Sequence, residues 1–292
     1  MMLLTSFERM RRYLASEANG SLEIDESNLI DNQPNKRDVL PWIQSASSQV
    51  EKYLGRKIGI ESRTEYFDLI PGQKEFWVAA PPISTLTSVY EDSSGQWDGD
   101  SESELDDPII GSNSYSFITD TDESLGYKSK KAIRVIYTGG LAYHATQSVY
   151  TLTTDDDTGW TAGYFIEGDS SGSVGIVKSF DSINNRLTVE VLYGLFDSDE
   201  AITEYTTERL TTASGETGTI SAKYRTALCE AYPDIVRACE IQVSHYYRFK
   251  SSFELSGVNQ DGSSLRRPST ERVNLQPETR MLLDIHRLIV FP

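Results

Sequence analysis

Cysteine is scarce in this sequence: Cys229 and Cys239 are the only two. Ten positions apart, they match neither a disulfide framework nor a zinc-ligand pattern, and they read as buried free thiols. Histidine is almost as scarce, at His144, His245 and His286. None stands in an H-E-x-x-H pattern and no G-x-S-x-G elbow occurs, so neither a zinc protease nor a serine hydrolase is signalled. Basic residues fall short of acidic ones, 27 against 44, for a net charge of −17. Proteins that read nucleic acid carry a basic patch or stripe, and the bulk of this chain has the opposite sign. The same charge is equally compatible with a soluble surface that carries no message. No apolar run reaches the roughly 20 residues of a membrane-spanning helix. The start, Met1 to Phe7, turns charged at Glu8-Arg9 before an apolar signal-peptide core can form. The expectation is a protein kept in a cytoplasm, or in a particle assembled there, without a membrane.

What is present is ample material for a core. Hydrophobic residues make up 38% and charged ones 24%, which excludes wholesale disorder. The acid excess is unevenly spread. From Ala227 onward there are 8 acidic and 8 basic residues, so the whole surplus of 17 lies before that point.

Helical periodicity is clearest in four places. Phe7, Met10, Tyr13 and Leu14 form one stripe, with Ser6 placed to cap it and Asn19-Gly20 to end it. Leu40, Ile43, Ser47, Val50 and Leu54 line a second helix, with Asp38 as N-cap, Pro41 in the first turn and Gly55 as stop. Pro233 opens a third, running to about Phe249, with Ile235, Cys239, Gln242, Val243 and Tyr246 on one face. Pro277 opens a last helix to about Leu288, in which Met281, Leu282, Ile285 and Leu288 are spaced for packing. An apolar tail, Ile289-Val290-Phe291-Pro292, follows. Such a tail either folds back on the core or docks into a neighbour.

Strand-like runs occupy the middle of the chain. They lie at residues 64–68, 75–78, 85–90, 115–118 and 132–137, and residues 91–108 read as an exposed acidic loop. Residues 146–225 change character, being rich in Thr, Gly, Ser and Asp with short alternating runs, and read as an inserted all-β domain, sandwich or barrel-like. The discontinuous remainder is 1–145 with 226–292.

No constellation assembles a reaction centre. Gly168 to Gly175 is glycine-rich but lacks the Lys-Ser/Thr ending of a phosphate loop. Asp155-Asp156-Asp157 lacks the spacing of a calcium loop and reads as a solvated turn. No catalytic residue, metal or cofactor is expected, and the chain is not read as an enzyme. One basic cluster, Arg266, Arg267 and Arg272, could meet DNA phosphates or an acidic partner, or could simply be solvated.

Several stretches, in order, resemble a known family. Ile43 to Arg56 resembles the helix ending in Tyr-Leu-Gly-Arg of phage head-to-tail connector adaptors. Ser62 to Phe67, then Ala79-Ala80-Pro81-Pro82-Ile83-Ser84, resemble that family's passage into its next strand. Ile133 to Ala142 is similar to its Val-x-Tyr-x-Gly-Gly turn. Tyr232 to Cys239 with Gln242 resembles the helix that follows, and Leu275-Gln276-Pro277-Glu278 its closing helix. The match covers roughly 37–142 and 226–288. It departs at the insert, where family members pass almost directly from turn to helix.

The resemblance implies an α+β fold: a helical connector body with a small β portion, to which this chain adds the β insert. It implies a structural virion protein in the head-tail neck, assembled in a host cytoplasm as a homo-oligomeric ring, typically a dodecamer. The ring docks under the portal protein, extends the channel for double-stranded DNA without sequence-specific binding, and meets tail-side neck or tail proteins. Portal docking would fall to Pro277, Met281, Leu282, Ile285, Leu288, Ile289, Val290 and Phe291. The alternative is another neck, tail or baseplate component whose β insert binds fibres, decoration proteins or host glycan.

Overall fold

A computed structural model describes residues 2–19, 36–97, 102–119, 129–153, 159–208, 210–248 and 275–287. Within them the chain divides into two compact units. One is Gly55–Tyr143, and the other combines Met2–Leu54 with His144–Pro292.

The first unit is built from strands. β1 (Glu61–Leu69), β3 (Ile83–Asp92), β4 (Glu102–Glu104) and β7 (Ser129–Gly139) form an antiparallel sheet in the order β1-β7-β3-β4. β2 (Glu75–Trp77), β5 (Ile109–Ile110) and β6 (Ser116–Ile118) form a second sheet in the order β2-β6-β5. Strand period sends alternate side chains to opposite faces. Accordingly Ile133, Val135 and Tyr137 of β7 are buried beside Phe76, Val89 and Phe117. Phe76 and Phe117 stack at 5.3 Å between ring centres, and Phe67 leans on both at 5.6 and 5.7 Å.

The opposite face carries a different device. The Asp92 carboxylate accepts from the backbone N–H of Ser94 and of Trp97, at 2.8 and 2.7 Å. Trp97 is thereby held at a φ of 56° and flanks Arg134 together with Tyr90, at 4.7 and 4.6 Å from the guanidinium. Arg134 also pairs with Glu102 of β4 at 2.8 Å, so a side-chain contact joins β7 to β4. The Gly139-Gly140 turn is fixed by contact. A Cβ at Gly140, where φ is +132°, would lie 2.4 Å from the Gly59 carbonyl oxygen.

The second unit joins helices to a barrel. α1 (Phe7–Asn19) is capped by Ser6, whose hydroxyl oxygen accepts from Arg9 N–H at 3.2 Å. α2 (Lys36–Leu54) buries Ile43, Ala46, Val50 and Leu54, and Gly55 ends it in the left-handed region at a φ of 71°. α3 (Leu228–Ala231) and α4 (Pro233–Arg248) follow the barrel, and α4 packs on α2. Ser47 is part of that contact. Its oxygen accepts from Leu4 N–H at 3.0 Å and lies 3.7 Å from the Cys239 sulfur. α5 (Pro277–Asp284) packs on α4 and α2.

β8 (Gln147–Leu152), β9 (Phe165–Gly168), β10 (Val174–Asp181), β11 (Arg186–Tyr193), β12 (Ala201–Tyr205) and β13 (Ala213–Arg225) close into an antiparallel barrel in the order β10-β11-β8-β13-β12-β9. Closure leaves no free strand edge. Tyr150, Ile166, Val177, Leu187, Val189, Phe196, Ile202 and Ile220 fill it.

Buried carboxylates pin the barrel's loops. Glu200 Oε1 accepts from the N–H groups of Ser170 and Ser171 at 3.1 and 2.6 Å and from the Ser170 hydroxyl at 3.0 Å; Oε2 accepts from Asp197 N–H at 2.8 Å. Glu204 accepts from Thr161 N–H at 2.6 Å and from the Ser214 hydroxyl at 2.7 Å. Arg9 of α1 joins helices to barrel, bonding Glu240 of α4 at 2.9 Å and the carbonyls of Val191 and Leu192 at 2.9 and 3.2 Å.

The architecture corrects the expected fold class. Among the described residues strand outweighs helix, 40% to 24%, in three sheets with five helices, so they do not form a helical connector body with a small β portion. The reason is local. Helical stripes are long and periodic, whereas strands such as β1 and β7 extend beyond their apolar centres into Glu61-Ser62-Arg63 and Ser129-Lys130-Lys131. Two smaller readings also change. β3 and β4 enter the stretch read as an acidic loop, and α2 starts at Lys36, so Asp38 sits inside its first turn rather than capping it.

Candidate docking surface

α5 is short, and its two faces have opposite fates. Pro277 occupies the first turn, where no intrahelical N–H is needed, and Gln276 precedes it with extended backbone. Gln276 is itself anchored: its N–H donates to Gln242 Oε1 at 3.0 Å, and its side chain lies 3.1 Å from His245 Nε2. Thr279 and Leu283, four residues apart, are fully buried, and Leu275 is buried beside them in sequence. At the far end the Tyr53 hydroxyl donates to Asp284 at 2.6 Å, and the Arg287 guanidinium lies over the Tyr53 ring at 5.2 Å. That hydrogen bond is the main cause of a Tyr53 pKa above its ordinary value. His286 meets the Tyr232 ring edge-on at 5.7 Å.

The helix is therefore clamped on one side, and the other side is bare. Met281 is 76% exposed and Ile285 74% exposed. At a spacing of four they share one face. Leu282 is half-buried and Pro277 exposed. Of the residues expected to dock, Pro277, Met281, Leu282 and Ile285 lie in this helix or directly after it. Leu288, Ile289, Val290 and Phe291 fall outside the described residues, as do Arg266, Arg267 and Arg272 of the basic cluster. The sequence spacing placed Met281 and Ile285 among residues suited to packing, but it did not single out Leu283 as the inward anchor.

The chemical motifs resolve into structure. His144 Nδ1 accepts from the N–H groups of Thr146 and Gln147 at 3.2 and 3.1 Å, closing a turn, and burial lowers its pKa. The Gly168 to Gly175 stretch wraps the Glu200 carboxylate. Cys229 and Cys239 are buried free thiols. Asp155, Asp156 and Asp157 lie outside the described residues. Among the described residues no group of three His, Cys, Asp or Glu could hold a metal ion, and no helix is long and apolar enough to cross a membrane.

No protein-family model matches this chain, and no curated protein matches it. Among solved structures, a chain of the neck of an empty GTA particle computed with C6 symmetry is similar over 100% of this chain and 98% of its own, with a TM-score of 0.42 and 7% identity. A likeness of that degree leaves the functional argument to the residues themselves.

Proposed function

We propose that this chain is a structural protein of a phage-type particle: a ring-forming adaptor of the head-tail neck that docks beneath the portal, extends the DNA channel and offers the tail its attachment surface. The observation that carries the reading is the bare face of α5. A helix clamped by Leu283, Thr279 and Tyr53 holds Met281 and Ile285 outward. Large apolar side chains held rigidly in water are what a protein partner covers. The connector resemblance, whose closing helix corresponds to α5, supplies the partner: the portal protein. The chain's net charge of −17 supports a channel wall that repels DNA and lets it slide without being read. No catalytic step is assigned.

The test mixes the purified chain with the portal protein of the same particle and images it by negative-stain electron microscopy. An added ring at the narrow end of the portal is expected. The pair Met281→Glu and Ile285→Glu changes exposed positions only, so folding is retained. Each substitution removes a hot-spot contact worth about 2 kcal/mol, or about thirtyfold in Kd, and the ring is lost. Bare portals at high concentrations of the wild-type chain refute the adaptor reading. A ring that persists with both substitutions refutes α5 as the grip.

A further inference from the structure

The barrel carries four exposed large hydrophobic side chains among the described residues, and two of them, Tyr193 and Leu195, are near neighbours in the chain. Tyr193, 62% exposed, ends β11, and Leu195, 48% exposed, stands on the loop that leaves it. Tyr224, 46% exposed, lies near the end of β13, and Ile183, 91% exposed, at the turn between β10 and β11. Across β8, Tyr224 stands level with Leu187 and Thr188 of β11, about 18 Å along the strand from Tyr193 at the usual rise.

Their charges are opposite. Exposed carboxylates of Asp197 and Asp199 follow Tyr193 and Leu195. Exposed Asp169 lies in the neighbouring loop, brought alongside by the pairing of Val174 with Tyr193. Two arginines lie against Tyr224. The Arg186 guanidinium lies over the Tyr224 ring at 3.5 Å, and that of Arg225 at 5.4 Å. Asp181, opposite Arg186 on β10, turns its carboxylate into its own hairpin, accepting from Ile183 N–H at 3.1 Å and from the Asn184 side chain at 2.7 Å.

The acidic tip is also built rigid. Glu200 binds the N–H groups of Ser170, Ser171 and Asp197 at once, locking the two loops of the tip to each other. Gly194, at a φ of +74°, lets the chain pass Ser173, whose Oγ a Cβ there would approach to 2.5 Å. Tyr193 and Leu195 are thus held out on a preorganised support, which reduces the ordering entropy a contact must overcome. A closed barrel has no edge to extend by strand addition, so its association has to use side chains.

We propose that copies of this chain associate head to tail through the barrel, with the acidic, apolar tip around Tyr193 and Leu195 seating on the arginine–tyrosine patch at Arg186, Tyr224 and Arg225 of the next copy. Two different patches on one chain make a heterologous contact, which closes into a ring when the rotation permits and otherwise runs on as a filament. The contact deepens the ring reading above and uses none of α5, so portal docking and barrel association fail separately.

Sedimentation velocity of the full chain over a concentration series tests it. Wild type is expected to self-associate, and less so as salt is raised, because the paired charges are screened. The pair Arg186→Glu and Arg225→Glu, and separately the pair Asp197→Lys and Asp199→Lys, sets like charge against like and weakens association by about a hundredfold or more. Circular dichroism checks that each variant stays folded. Mixing the two variants restores association, because the reversed patch of one now meets the reversed tip of the other. A wild type that stays monomeric throughout overturns the proposal. So does an association that both reversals leave unchanged, or one that mixing fails to restore.

Discussion

Glu200 offers a sharp measurement, because its carboxylate is buried and its partners are known. Burial pushes the Glu200 carboxyl up. The hydrogen bonds from Ser171, Asp197 and Ser170 outweigh that, leaving its pKa below the ordinary carboxylate value. A depressed folded pKa means stability that is fully present above the unfolded value, about 4.3, and lost as pH falls through the folded one. Glu200→Gln keeps the shape of the side chain and removes the charge. One amide oxygen then stands where two carboxylate oxygens accepted, and one N–H group at the loops loses its acceptor. Charge-assisted bonds contribute about 1.5–3 kcal/mol each and an orphaned buried donor costs about 1–3 kcal/mol, so a net loss of about 2–3 kcal/mol is expected at pH 7. For units of this size that lowers Tm by about 4–12 °C. Thermal unfolding of both proteins by circular dichroism from pH 7 down to pH 3 reads the effect. The gap between them should be constant from pH 7 to about pH 5 and shrink below about 4.3, as the wild-type carboxyl takes up its proton. A gap that stays constant to pH 3, or no gap at pH 7, refutes the assignment of Glu200 as the loops' ionised acceptor.

Two further outcomes follow from the same geometry. Gly140→Ala drives a Cβ to 2.4 Å from the Gly59 carbonyl at a φ of +132°, and the strain and overlap together cost about 2 kcal/mol or more. Gly72→Ala, at +82° with nothing within 4 Å, adds backbone strain alone, so the urea midpoint must fall further for Gly140→Ala. Burial pushes the thiols of Cys229 and Cys239 up to about 12, so iodoacetamide at pH 8 should leave both unmodified in the native protein and label both in urea, read by mass spectrometry. Rapid labelling of either thiol without denaturant contradicts the packing of α3 and α4.

The helices were legible because their burial obeys a local period. Ile43, Val50 and Leu54 of α2, and Ile235, Cys239 and Val243 of α4, are the buried residues that the spacing picks out. Ser47 was legible as part of that face, although its role as acceptor for Leu4 N–H depends on a partner 43 residues away. β8 and β12 lack such a period in their apolar residues. In Gln147–Leu152 the buried positions are Ser148, Tyr150 and Leu152, and in Ala201–Tyr205 they are Ile202 and Glu204. A serine or a glutamate at an inward position breaks the apolar alternation by which a half-buried strand is recognised. Such groups are tolerated inside only when hydrogen-bonded, and their donors come from distant loops. Thr161 is 43 residues from Glu204, and Ser170 is 30 from Glu200. The balance of strand over helix was hidden in the same positions.

The orientation of α5 shows where local reasoning stops. Its eight residues, with Ile285 directly after them, allow two stripes at helical spacing: Met281 with Ile285, or Thr279 with Leu283. On hydrophobicity the first is the better candidate for burial. The second is buried because Gln242 and Tyr53, on helices far off in sequence, take hold of Gln276 and Asp284 at either end and so fix the helix's rotation. Rotating α5 to bury Met281 and Ile285 would break both anchors and turn Leu283 into water. The exposed pair is thus a consequence of polar contacts at the helix ends, and the helix's own periodicity could reveal only that two faces existed.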